Sequence, residues 1–467
     1  MGTGTSNAVD GQSSLISAVQ AGDTDLVRIL LHEQSDSDYL DAAFCLAVRT
    51  HAGRVAQLLL QYGADSGQCR ADDLIPLSEA VDSGSPALFE ALLDHEISGR
   101  YPEIELLEAR DLARRWHETG VEAELRRRTG SRDAVGRKRV QDGEYDSVVE
   151  FTLGGITVRD GHGAILTHVE ELLGVRTSFE ELMDRALAQV DQQDHATWSR
   201  ASLQLSGRRE EATWAAAAVL RTSPDPSRRL FGAEVLRLMH LFDDSDEDAF
   251  AGSALDLFTG WAAAETDVAV LTEVLVALGE HSDPRAEAAL VPHAGHPDAR
   301  VRRAVAQGLS ALSSPPAFSG DARHGVAGLM ADPDAVVRKT ACRVVAEGRD
   351  HDPVFADAMA AALDDTDRLV QLAAVHGLAL HDDERCVAAA RLLGPPQRGS
   401  LEEEATSTRC GVTNGAATAA ERFRLCLSAA PAPGIRTVRM TLPASWSLRL
   451  DREAAGPTPT TWPARPR

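Results

Sequence analysis

The chain has 467 residues, with 71 acidic side chains against 47 basic ones and a formal net charge of −24. One compact core holds no more than about 250–300 residues, so we expect either several domains or an array that grows in one dimension. An acidic surface repels phosphate, which argues against nucleic acid as a partner and favours basic, cationic or protein partners.

The N-terminal residues contain no cationic stretch followed by an apolar core, and no apolar run reaches the length of about 18 residues that spans a membrane. We therefore expect no signal peptide and no membrane partner. The six cysteines show no C-x-x-C spacing, and Cys45 and Cys342 fall on apolar helical faces. This pattern predicts a reduced, cytoplasmic protein without a disulfide framework or zinc site.

Residues 1–11 are polar, and we expect them to be flexible. In residues 12–128, three Ala-Val pairs at 18–19, 47–48 and 80–81 each precede a short turn and a helix that ends in leucines. Gly22 and Gly84 lie where the chain must turn, and Ala52 or Gly53 takes that place in the middle segment. Residues 104–128 read as one more helix pair with a polar outer face, which the end of a stack requires.

Two short motifs in this region, Gln61-Tyr62-Gly63-Ala64-Asp65 and Ile75-Pro76-Leu77, resemble the ankyrin repeat. The resemblance implies stacked helix pairs. The histidine of the ankyrin motif is absent, with Ser17 and Glu79 near its place. That departure affects the expected hydrogen bonding between repeats and leaves the helix pairs unaffected.

Residues 129–163 break the helical pattern. Residues 129–146 are charged and contain glycines, so we expect a linker or exposed loop there. Residues 148–158 alternate apolar and polar side chains around Gly154-Gly155, which predicts a short β-hairpin. Asp160 and His162 follow among glycines and are candidates for a metal or catalytic site, although a tight turn before a helix explains them more simply.

Residues 164–393 contain five related segments that start 31 to 42 residues apart. That period is typical of stacked two-helix units. The third residue of every segment is aspartate, which ahead of an apolar periodic run predicts a helix N-cap. The predicted caps are Asp225, Asp267, Asp298, Asp334 and Asp367.

The seventh residue of three segments is arginine, at Arg229, Arg302 and Arg338, whereas Leu271 and Gln371 interrupt the series. Each arginine can reach its own capping aspartate or an aspartate of the next repeat, which predicts a structural ladder. The alternative is a charged stripe on the concave face that meets a ligand.

The segments from His296 and Asp332 resemble the HEAT repeat of the bacterial phycobilisome-lyase type, with the pattern D-P-D-x-x-V-R-x-x-A-x-x-x-L. The resemblance covers residues 210–393 and implies an α-solenoid that binds other proteins, with no chemistry shared across the family. We therefore expect an all-α fold, an α-solenoid of stacked helix pairs, with a short β-hairpin near residues 148–158.

Residues 394–467 contain nine of the 21 prolines and ten arginines against six acidic residues. This composition predicts a disordered tail.

The sequence thus predicts a non-catalytic scaffold or adaptor that binds an unidentified protein partner on the concave faces of its repeats and has no cofactor. The alternative is a lyase-like or metal-dependent enzyme of the HEAT-repeat family, for which Asp160, His162 and His168 are the candidate residues.

Overall fold

The computed structural model describes residues 14–33, 37–70, 74–94, 98–188, 193–242, 250–281, 283–311, 318–347 and 352–394. The expected flexible start at 1–11 and the expected disordered tail beyond 394 lie outside these residues. The described chain is mainly helical with one small sheet, so the all-α prediction is confirmed. It divides into two compact units: described residues up to Thr177 together with those of 191–200, and the described residues of 178–190 together with those from 201 onward.

The helices of the first unit alternate with short turns. In chain order they are α1 (14–21), α2 (Thr24–Glu33), α3 (Ser37–Arg49), α4 (Gly53–Gln61), α5 (Leu77–Ser83), α6 (Pro86–Leu92), α7 (Glu103–Thr119), α8 (Val121–Thr129) and α9 (His162–Leu172).

The turn between the helices of a pair needs a backbone conformation with positive φ. Gly22 (φ 66°) and Gly84 (φ 69°) supply it as expected, but in the middle segment His51 (φ 57°) does so rather than Ala52 or Gly53. Gly84 is also sterically required, because a Cβ there would lie 1.8 Å from the Arg159 carbonyl oxygen.

The sheet is antiparallel, with strands β1 (Gly136–Gln141), β2 (Ser147–Leu153) and β3 (Ile156–Arg159) in the order β1-β2-β3. The predicted hairpin is β2 and β3, with Gly154 and Gly155 at its turn. We expected a linker or exposed loop at 129–146, but this range contains strand β1. This strand reads Gly-Arg-Lys-Arg-Val-Gln and lies at a solvent-exposed edge, so it lacks the apolar alternation that marks a strand.

The cysteines correct a second expectation. Cys45 on α3 and Cys69, which follows the 3-10 turn Ser66–Gln68, form a disulfide, with 5.7 Å between their Cα atoms. The chain folds back after α4 and brings these distant cysteines together, although they show no short motif spacing. Cys342 and Cys386 are buried free thiols, and burial raises the pKa of the Cys342 thiol to about 12.

The helices of the second unit follow the repeat pattern. They are α10 (Phe179–Leu187), α12 (Glu211–Val219), α13 (Pro226–Leu241), α14 (Ala251–Ala262), α15 (Val268–Gly279), α16 (Pro284–Leu290), α17 (Ala299–Ala311), α18 (Gly320–Met330), α19 (Ala335–Glu347), α20 (Pro353–Ala362), α21 (Arg368–Leu380) and α22 (Arg385–Leu393). Helix α11 (Ala196–Ser206) has residues on both sides of the division.

The helices of the second unit form a solenoid. Helices α13, α15, α17, α19 and α21 pack side by side as one row, and each also packs against the helix that precedes it. Small residues permit close approach within the row: a Cβ on Gly279 of α15 would lie 2.3 Å from the Cα of Gly308 on α17. The apolar faces that the sequence pattern predicts for these helices are buried, including Val301, Val305 and Val337.

No helix in the described ranges is both long and apolar enough to cross a membrane.

Candidate functional site

The repeated aspartates lie at the starts of the row helices. Each carboxylate accepts hydrogen bonds of 2.8 to 3.2 Å from one or two first-turn N–H groups of its own helix, where the positive end of the helix dipole favours a negative charge. These residues are Asp225 on α13, Asp267 on α15, Asp298 on α17, Asp334 on α19 and Asp367 on α21. They fix where each row helix begins.

The repeated arginines join successive repeats. Arg338 donates from Nε and Nη2 to the two carboxylate oxygens of Asp365, at 2.7 and 2.8 Å, and from Nη1 to the carbonyls of Asp332 and Pro333 in its own repeat. The guanidinium thus bonds to the first residue of the next repeat and not to its own cap. The hydrogen bonds from Arg338 hold the pKa of Asp365 below its usual range.

Arg302 repeats this geometry with Asp332, at 2.6 and 2.8 Å, and Arg229 repeats it with Glu265, at 2.9 and 3.0 Å. Each also bonds to the carbonyls of the first two residues in its own repeat. We call these three forward pairs the arginine ladder. All three arginine side chains are at most 15% exposed. Their donors are already used within the fold, which indicates a structural role. A role for them in binding a partner stays a prediction.

A different set of basic residues is exposed on the same row. Arg303 on α17 and Lys339 on α19 each lie five residues after the capping aspartate, and Arg343 follows Lys339 by one helical turn. Because α17 and α19 pack side by side, equivalent positions lie next to each other. Arg303 is exposed, and Lys339 and Arg343 are partly exposed. We call these three residues the basic stripe.

Within the described part of the chain, no carboxylate pairs with the basic stripe, although acidic residues outnumber basic ones overall. The third and seventh positions of the repeats, on which the sequence prediction rests, do not include these residues. Reading the fifth residue after each cap finds Arg303 and Lys339 directly.

Asp160 lies at the end of β3 and has a structural role. Its Oδ1 accepts hydrogen bonds from the Val149 N–H at 2.8 Å and from His195 Nε2 at 2.9 Å. The other ring nitrogen of His195, Nδ1, accepts from the Thr197 N–H at 3.1 Å, which leaves Nε2 to donate to Asp160. Both nitrogens of His195 are occupied and the ring is fully buried, so the ring offers no free nitrogen to a substrate.

His162 is the first residue of α9, rather than part of a loop, and is buried. Its ring stacks on Trp116 with centroids 4.6 Å apart. Burial lowers the pKa of His162 to about 3, although the Val81 carbonyl and Asp160 favour the protonated form. This histidine is therefore a neutral core residue in the folded protein.

His168 lies one and a half turns further along α9, against the edge of Phe89. Burial also lowers the pKa of His168 to about 3, and Arg200 adds to the effect. The structure brings no group of three or more His, Cys, Asp or Glu side chains into a metal-binding arrangement within the ranges that it describes. The metal-dependent alternative stays a prediction.

Comparison with known proteins identifies the repeats. A model of HEAT repeats matches residues 255–319, which include the segments that begin at Glu265 and His296. The chain therefore contains HEAT-type repeats. No curated protein matches this chain.

Two solved structures are similar to this chain at low identity. One is the X-ray structure of YibA from Escherichia coli, with 15% identity, a TM-score of 0.37 and coverage of 55% of this chain and 96% of that one. Another is the archaeal HEAT-like repeats protein from Thermococcus onnurineus NA1, with 17% identity, a TM-score of 0.32 and coverage of 54% and 99%.

Proposed function

We propose that this protein is a non-catalytic scaffold for protein–protein interaction, and that the basic stripe of α17 and α19 binds an acidic segment of a partner protein. The observation that carries the proposal is the set of three basic side chains, Arg303, Lys339 and Arg343, on two neighbouring repeats without carboxylate partners among the described residues. The arginine ladder uses its charges within the fold, whereas these three have their charge available to another molecule.

The electrostatics favour a particular kind of partner. Unpaired cations on an exposed helical face attract an acidic peptide and pair with its carboxylates at low desolvation cost. A long nucleic acid would also meet the rest of an acidic chain, which has 71 acidic residues against 47 basic ones in total. An acidic protein segment fits both the local and the overall charge.

Several finer properties are proposed on sequence motifs or composition alone. We infer ankyrin-like character for the helix pairs of 12–128, a relation of the HEAT-type repeats to the phycobilisome-lyase type, and a cytoplasmic location. We further propose that the protein functions without a cofactor and without nucleic acid or membrane partners.

The proposal is tested by affinity capture from the native host at low and high salt, with the full-length protein as bait. A double charge reversal, Arg303→Glu with Lys339→Glu, should abolish recovery of the specific protein partner. The matched control is Arg221→Glu with Arg391→Glu, which reverses two exposed arginines of the second unit outside the basic stripe and should leave recovery unchanged. Circular dichroism checks that every variant keeps its helix content.

Three outcomes would contradict the proposal. Wild-type protein could recover no specific protein at low salt, the stripe variant could recover as much as wild type, or the captured material could disappear on nuclease treatment. The last result would indicate a nucleic acid partner instead.

A further inference from the structure

The first unit contains an open cavity of about 570 Å³. The turns between α1 and α2 and between α3 and α4 form one side, and β1 with the end of β3 forms the other. Its lining includes the first-turn residues Gly53, Arg54 and Val55 of α4 and the basic residues Lys138, Arg139 and Arg159. Sites for small molecules in proteins have volumes of about 300–1,000 Å³, so the size suits a small ligand rather than a folded partner.

The charge of the lining is unusual for this chain. Arg54, Lys138, Arg139 and Arg159 line the cavity, and none of its lining residues is Asp or Glu. The whole chain carries 71 acidic residues against 47 basic ones, so a wall with four permanent cations and no carboxylate departs from the composition. Where its cations have no carboxylate partner, such a wall produces a positive potential that attracts small anions.

Two of these cations are already neutralised. Arg139 pairs with Asp194 and donates to Ser147 Oγ, and Arg159 pairs with Asp142 at 2.8 Å. Arg54 and Lys138 have no carboxylate partner among the described residues, and the Nε of Arg54 is buried without a hydrogen-bond acceptor. These two side chains are therefore available to a ligand.

The first turn of α4 lines the same cavity and adds to the positive potential. Asp23 and Ser85 accept hydrogen bonds from first-turn N–H groups of α2 and α6, at 3.0 and 3.2 Å, but Ala52 gives α4 no side-chain cap. An uncapped helix start leaves N–H donors that can bind an anion.

We propose that this cavity binds a small ligand with two or more phosphate groups, held by Arg54 and Lys138 with the first turn of α4. Phosphate offers several acceptor oxygens and more than one negative charge, which suits a guanidinium, an ammonium group and backbone N–H donors converging from different elements. The inference is independent of the proposed scaffold function, since it concerns the first unit alone.

The chain contains only two lysines, Lys138 and Lys339, so an amine-reactive acetylation reagent provides a direct test. Full-length protein is acetylated with inorganic pyrophosphate, with adenosine triphosphate, or with neither, and both lysines are quantified by mass spectrometry. We expect either polyphosphate to slow acetylation of Lys138 both in the wild-type protein and in the Arg303→Glu, Lys339→Glu variant, in which the charge of the basic stripe is reversed. Protection by both ligands would indicate recognition of the phosphates alone, whereas protection only by the nucleotide would show that the cavity also holds the base or sugar.

Affinity measurements by calorimetry identify the groups that bind. Lys138→Gln should weaken binding of the protecting polyphosphate by about tenfold, and Arg54→Gln should weaken it by at least as much. Arg137→Gln is the matched control, because Arg137 lies on the same strand but pairs with Glu122 and does not line the cavity. Added salt should weaken binding further.

The proposal is overturned if neither polyphosphate protects Lys138, if the protection of Lys138 is lost in the Arg303→Glu, Lys339→Glu variant, or if Lys138→Gln binds as tightly as Arg137→Gln. Lys138 is exposed on an edge strand, so its substitution should not unfold the protein, and this variant decides the result even if Arg54→Gln fails to fold.

Discussion

The two compact units satisfy their buried polar groups in different ways. In the second unit one solution recurs, with a carboxylate at the helix start and an arginine that bonds forward to the next repeat. In the first unit, polar contacts between distant elements instead depend on individual residues and do not recur from repeat to repeat. The clearest example is Asp142, which is 1% exposed and accepts hydrogen bonds from Ser85 Oγ, the Ala87 N–H and Arg159 at 2.7 to 2.8 Å.

This difference indicates how strongly the substitution of one polar residue should destabilise each unit. Asp142 joins the end of β1 to the start of α6 and the end of β3, so three elements depend on one carboxylate. In the arginine ladder each pair joins only two neighbouring repeats, as expected for an array in which each repeat contacts its neighbours.

The largest effect should come from Asp142→Ala. Loss of the carboxylate leaves Arg159 without its closest partner and removes two further hydrogen bonds, which should lower the free energy of unfolding of the first unit by about 4 kcal/mol. Urea unfolding followed by circular dichroism measures the change. A loss as small as that of an exposed ion pair, such as the one removed by Arg110→Ala, would mean that Asp142 does not join these elements.

Arg338→Ala should have the next largest effect. It leaves the Asp365 carboxylate, which is 10% exposed, without its two guanidinium bonds and should destabilise the second unit by about 3 kcal/mol. The control Arg300→Ala removes a 67% exposed guanidinium that pairs with its own cap and should cost about 0.5 kcal/mol. Equal losses for the two variants in urea unfolding would contradict the ladder.

Acid should destabilise both units through buried neutral histidines. The effect of each histidine should be smaller than that of Asp142→Ala or Arg338→Ala. His376 is a buried residue of α21. Burial lowers the pKa to about 3 for His162 and to about 4 for His376, below the ordinary value of 6.5. Only the unfolded chain then takes up protons as the pH falls below 6.5, so protonation favours unfolding. Near pH 5 each histidine should cost about 2 kcal/mol of stability.

Substitution of the histidines tests this pH dependence. In thermal unfolding, His162→Leu and His376→Leu should each flatten the fall in stability between neutral pH and about pH 5. An unchanged slope would show that these rings are accessible to protons in the folded protein.

The sequence was most informative where the chain repeats. The five aspartates align from their spacing alone, and the forward reach of Arg302 and Arg338 was one of two geometries that this spacing allowed. The acidic residues that receive them, such as Asp332, occupy the first position of the same alignment. A repeated pattern therefore specifies contacts as well as helices, because every copy provides independent evidence for the same neighbour.

The contacts of the first unit could not be predicted from a repeated pattern. Nothing in the local sequence brings Cys45 to Cys69 or Asp160 to His195, since those contacts depend on how distant segments fold back. Strand β1 was missed because its charged residues resemble a loop, and it is the same strand that carries Lys138 into the cavity. The basic stripe was within reach of sequence analysis, since Arg303 and Lys339 occupy equivalent positions in adjacent repeats.

The arginine ladder has a polarity, because every guanidinium bonds to the repeat that follows it in the chain. A truncation after any arginine-bearing repeat would leave that arginine without its carboxylate, whereas a deletion from the amino side would leave a carboxylate without its guanidinium donor. If the repeat from Asp332 were duplicated in tandem, Arg338 of the first copy would be followed by Asp332 of the second copy, and the two could form the same ion pair. The array can therefore lengthen by duplication while the added repeat joins its neighbours as the existing ones do.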